Sequence, residues 1–111
     1  MLLIREVMYC KPGKVKPLVE KFLAMSKLSA KLGMPPMKVM TDLSAERYWT
    51  VVAEMEVPNL TAFEEMFSAE PKDAEAAKQM EELMKGYHDL VDQGRREIYK
   101  IEGALKPVAV G

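Results

Sequence analysis

Few residues in this chain can do chemistry. It holds one histidine, His88, and one cysteine, Cys10. Histidine titrates near neutral pH, so His88 is a candidate general base or haem ligand. By the 3.6-residue period it lies on the flank of an apolar stripe, where a plain surface histidine would also sit. Three carboxylates (Glu6, Glu54, Glu56) and three guanidinium groups (Arg5, Arg47, Arg96) fall on segments that read as strands. Burying any of them unpaired is expensive. They therefore form either a polar cavity in which a carboxylate acts as base, or Arg–Glu pairs at strand ends or at an interface. Glu6 is the expected buried carboxylate. Arg5 cannot be its partner, because adjacent strand residues point to opposite faces. The candidate catalytic residues are Glu6 and His88.

Trp49, the tyrosines and ten methionines could supply an adaptable apolar wall, or simply fill a core. The expected pocket lies between a third strand and a helix over residues 73–93. Its lining would be Trp49, Val51, Met55, Met66, Met80, Met84 and Tyr87. Lys11 beside Cys10 would favour a thiolate, but no base stands near, and a buried structural cysteine is the plainer reading. One Cys and one His do not make a zinc site, so no metal is expected. Gly13 alone, between Pro12 and Lys14, is a turn and not a phosphate cradle.

These groups need a scaffold. The 111 residues suggest one domain with a core of its own. Sixteen Lys+Arg against seventeen Asp+Glu give a net charge of -1, which argues against nucleic acid as partner. No apolar run approaches the roughly 20 residues of a membrane span, and the start does not read as a signal peptide. A soluble, cytoplasmic protein is the expectation.

Leu2 to Lys11 is apolar on both faces and reads as a strand covered on both sides. Lys11-Pro12-Gly13-Lys14 is a turn signal. From Val15 the apolar residues recur every three or four positions through Leu32, which is an amphipathic helix. Gly33 follows as a left-handed cap, and Pro35-Pro36 prevent continuation. Residues 37–42 and 47–57 read as an antiparallel hairpin, with Trp49, Val51, Ala53, Met55 and Val57 on one face. Asn59 is a plausible helix cap before Leu60, Phe63 and Met66. A long stripe from Ala76 through Tyr87 to Val91 reads as one helix ended by Gly94. Arg95 to Glu102 is the last strand, and 103–111 a short tail outside a domain of residues 1–102.

The order β-α-β-β-α-β predicts an α+β, ferredoxin-like antiparallel sheet with helices on one face. The other face, carrying Val52 with Tyr48 and one side of the first strand, should then be covered by a second copy of the chain.

Three features carry a family resemblance: the Lys11–Lys14 turn, the hairpin ending Val52-Ala53-Glu54-Met55-Glu56, and the helix Leu60-Thr61-Ala62-Phe63-Glu64-Glu65-Met66-Phe67. Over about residues 2–102 the chain resembles the dimeric α/β-barrel superfamily, and most the antibiotic-biosynthesis-monooxygenase type of domain. The resemblance implies homodimers whose sheets face each other, with a pocket between sheet and helices in each subunit. Some members are cofactor-free monooxygenases on aromatic polyketides, and others bind and degrade haem. The positions that haem-degrading members use fall on Glu6, Met66 and near Ala76, and the Trp that many members carry falls on Met55. None of these matches, so no cofactor is expected. The functional expectation is a homodimer that binds a small apolar or aromatic molecule. The alternative is a cofactor-free monooxygenase or isomerase on an aromatic or polyketide-like substrate.

Overall fold

The computed structural model describes residues 1–68 and 74–104. The elements run β1 (Leu2–Cys10), α1 (Val15–Lys31), β2 (Lys38–Thr41), β3 (Thr50–Val57), α2 (Leu60–Ser68), α3 (Ala74–Met84), α4 (Tyr87–Leu90) and β4 (Val91–Lys100). The four strands form one sheet in the order β2-β3-β1-β4. All neighbours are antiparallel. This is the ferredoxin-like topology the element order predicts.

Local chemistry sets the joints. Pro12 and Gly13 fill the two central positions of the turn after β1, with Gly13 at φ 78° and Lys14 N–H donating to the Lys11 carbonyl at 3.0 Å. A proline followed by a positive φ is what a type II turn requires. At the end of α1, Gly33 (φ 77°) lets Met34 N–H reach back to Ser29 O and its own N–H to Ala30 O, both at 3.1 Å. That pair of bonds is a Schellman cap. Asn59 caps α2 by accepting from Ala62 N–H at 2.8 Å.

Paired strand residues share a face, so the register sorts the sheet into two sides. The helix side carries Ile4, Val51, Ala53 and Val57, all buried. Two clusters form there. One joins Cys10, Leu18, Phe22, Val51 and Ala53. The other joins Ile4, Val57 and Phe63, with Met55 and Met66 against it. Burial pushes the Cys10 thiol up, with the Asp42 carboxylate adding to the effect. A thiol reagent should therefore leave Cys10 unmodified in the native protein and react at full rate once denaturant unfolds it. Rapid native labelling would refute this.

Four expectations are corrected. The stripe over 73–93 is not one helix: α3 stops at Met84, Gly86 takes φ 80°, and α4 is a single turn. Tyr87, Leu90 and Val91 still pack on the first cluster, which is why they keep the stripe's spacing. Gly94 does not end a helix; it lies within β4, where Met8 crosses it so closely that a Cβ would sit 2.6 Å from the Met8 sulfur. Trp49 is not on β3. It takes φ 62° in the loop before that strand and is 44% exposed. Its carbonyl accepts from Cys10 N–H at 2.8 Å. Tyr48, in the same loop, is 87% exposed rather than seated on the sheet.

The face away from the helices also differs from expectation. Val7 and Val52 pair on it as expected, but a lattice of charges and rings surrounds them. Arg5 donates to Glu54 at 2.7 Å and lies 3.6 Å from Glu97. Arg95 donates to Glu97 at 2.9 Å, and Tyr99 OH to the same carboxylate at 3.1 Å. The hydrogen bond from Arg95, with that from Tyr99 and the charge of Arg5, holds the Glu97 carboxyl below the usual carboxylate range. The Arg47 guanidinium lies 4.3 Å from the Tyr9 ring centre. Under this lattice Val7 and Tyr9 are buried.

Candidate functional site

Antiparallel pairing of β1 with β4 places Glu6 opposite Arg96 and Met8 opposite Gly94, on the helix side of the sheet. Arg96 donates to the Glu6 carboxylate. Glu6 is thus in an Arg–Glu pair, one of the two arrangements the sequence left open. Arg5 does point to the opposite face, but the partner comes from the neighbouring strand. The Arg96 guanidinium also lies 5.1 Å from the Phe63 ring centre, which ties the pair to α2.

Gly86 starts α4, whose first two residues hang over this row. The Tyr87 hydroxyl donates to the Met8 sulfur at 3.1 Å. His88 stacks edge-on against Tyr87, with ring centres 5.3 Å apart. Between α4 and the strands lies a cleft of about 390 Å³ lined by Glu6, Met8, Tyr87, His88, Gly94 and Arg96, among others. Such a volume is within the range of small-molecule sites. The floor is the Met8 side chain, which crosses the strand at Gly94 because that residue has no side chain. One wall carries a carboxylate and a guanidinium, and the other a phenol and an imidazole. The arrangement can hold a ring over Met8 and Gly94 while bonding its polar substituent to Glu6 or Arg96.

Burial raises the Tyr87 phenol above its ordinary range, and the nearby Glu6 charge adds to this. The folded state thus holds the phenolic proton more tightly than the unfolded chain. Its contribution to stability is complete below about pH 10, the ordinary phenol value, and is lost as pH rises through the folded value. Tyr87→Phe should flatten the loss of stability above about pH 10 relative to the parent. Denaturant titrations across that range would check it, and identical slopes would count against it.

Of the expected site residues, Glu6, His88 and Tyr87 come together here. Val51 is sealed in the first cluster. Met55 and Met66 pack in the second. Trp49 is in the loop before β3, and Met80 and Met84 lie half-buried on α3. Met8, Gly94 and Arg96 were not foreseen in these roles. Residue parity gives the face of a strand but not the row, and the row decides that Arg96 meets Glu6.

Among the described residues, no group of three or more His, Cys, Asp or Glu side chains could hold a metal ion. No described helix is long and apolar enough to cross a membrane.

No family model matches the sequence, and no curated protein sequence matches it significantly. Solved structures do match. A protein from Agrobacterium tumefaciens aligns with a TM-score of 0.70 at 13% identity, over 90% of this chain and 92% of that one. An uncharacterized NIPSNAP domain protein from Burkholderia xenovorans aligns at 0.68 and 15% identity, over 97% and 100%. A protein titled antibiotic biosynthesis monooxygenase aligns at 0.66 and 11% identity, over 93% and 100%. The shared fold is the ferredoxin-like α+β arrangement, one four-stranded antiparallel sheet with helices on one face. At these identities the likeness speaks for architecture alone.

Proposed function

We propose that this α/β-barrel chain binds a small, largely apolar or aromatic molecule in the cleft between α4 and the β1–β4 floor. The supporting observation is that the cleft gathers the Glu6–Arg96 pair, Tyr87 and His88 around an apolar floor. A planar ligand would rest on Met8 and Gly94 and present a hydroxyl or carboxylate to the pair. The test is a thermal-shift screen with phenols and aromatic acids, since a ligand of the native state raises apparent stability by mass action. Hits should move the amide resonances of Met8 and Gly94 saturably. A screen with no hits, or shifts confined to other regions, refutes the reading.

A second reading rests on one specific observation: the same cleft reaches both candidate bases, Glu6 and His88. It makes the chain a cofactor-free monooxygenase or isomerase on an aromatic or polyketide-like substrate. Turnover of a bound ligand, abolished by His88→Ala or Glu6→Gln, would select it over simple binding.

We further propose a homodimer joined through the open sheet face. The lattice of Arg5, Glu54, Glu97 and Arg95 offers both signs of charge, so a second copy can meet it in complementary register. Sedimentation at micromolar concentration should give about twice the 12.6 kDa chain mass. A stable monomer would overturn this.

A further inference from the structure

Lys27 and Lys31 stand one turn apart on α1, and Lys78 shares the same groove from α3. None of the three makes an ion pair among the described residues. Like charges at this spacing repel, so Lys27 and Lys31 gain nothing from each other. Between them runs an open groove of about 640 Å³ whose apolar lining is Ala24, Leu28 and Leu83. Leu28 is buried and gives the groove a firm apolar base. Lys21 ties α1 to the end of α3, its Nζ donating to the carbonyls of Leu83 and Lys85 at 2.8 and 2.7 Å. A cation there also suits the negative end of α3. Glu75 and Glu82 line the groove as well: Glu75 stands in the first turn of α3, and Glu82 pairs with Lys85 at 3.7 Å.

We propose that this groove is a second binding site, separate from the α4 cleft, for a small anionic amphiphile: an acyl chain ending in a carboxylate. The apolar body would lie on Ala24, Leu28 and Leu83, and the head group would take the unpaired lysines. Lysine stems can cover the chain while their ammonium groups reach the anion. The α3 stretch from Glu75 to Leu83 rises roughly 12 Å, the scale of a medium-length acyl chain.

The probe is monomeric dodecanoate, followed by amide resonances of the full chain, with dodecanol and dodecyltrimethylammonium as uncharged and cationic controls. Dodecanoate should shift Ala24, Leu28 and Leu83 saturably and bind at least tenfold tighter than either control. The exposed-lysine variant K27Q/K31Q/K78Q should keep its fold by circular dichroism and lose at least tenfold in affinity. Ala24→Leu, which fills the groove with the lysines intact, should also weaken binding. Equal binding of dodecanol overturns the proposal, as do shifts at Gly94 in place of Leu28 or no binding at all. Binding to phosphatidylglycerol vesicles without binding of monomeric dodecanoate overturns it too, by assigning the lysines to a lipid surface.

Discussion

Leu18→Ala should cost about 2–5 kcal/mol of folding stability, the range for truncating a fully buried leucine. Leu18 is completely inaccessible and sits where α1 meets Cys10, Phe22, Val51 and Ala53. Strand residues fix one side of that cluster and a capped helix the other, so the site cannot collapse to fill the void. Against a typical total of about 5–15 kcal/mol, the loss would leave a marginal domain. Leu43→Ala is the internal control. Leu43 is fully exposed in the loop before β3, so its truncation should stay within about 0.5 kcal/mol. Denaturant midpoints at unchanged slope would measure both. Equal effects at the two positions would show that the two-cluster core is misassigned.

The second large effect concerns ligand capture in the α4 cleft. Arg96→Met keeps an apolar stem against Phe63 but removes the charge that faces Glu6. A hydrogen bond to a charged group contributes about 1.5–3 kcal/mol. For an aromatic acid this corresponds to roughly a tenfold to hundredfold rise in Kd. Glu6→Gln should act the other way round: it should spare acids and weaken phenols, because the carboxylate is the acceptor a phenol would use. Calorimetric titration of one acid and one phenol against both variants gives four affinities. If all four stay within about twofold of the parent, the pair does not touch the ligand.

Much of the scaffold was legible because its determinants are local. The Pro12-Gly13 turn, the Gly33 cap and the Asn59 cap each depend on residues within six positions, and all three form as expected. The hairpin of β2 with β3 and the antiparallel sheet follow from period and order. Two boundaries were hidden by apolar spacing that continues across a break. Tyr87 and Leu90 serve the same core whether they sit on a long helix or on one turn after Gly86, so the stripe is silent about the interruption. Trp49 keeps the parity of Val51 and Ala53, yet its backbone turns left-handed to bring its carbonyl to Cys10. The cleft was harder to read. Glu6 and His88 stand out by chemistry alone, but Arg96, Met8 and Gly94 acquire their roles from register, a long-range property. Gly94 carries a signal in hindsight: a glycine inside a strand marks a close approach, here by Met8.

The loop that holds Trp49 has one practical consequence. Trp49 is the sole tryptophan of the chain. It sits beside Thr50, which the Asp42 carboxylate and the Arg47 carbonyl hold at 2.9 and 2.7 Å. Arg47 in turn rests on Tyr9 on the open sheet face. Every photon of indole fluorescence therefore originates from one corner of the molecule. That corner is wired by hydrogen bonds to the sheet and partly open to quenchers. Anything that covers the sheet face near Tyr9 should be visible as a change in emission or acrylamide quenching, without any label being attached.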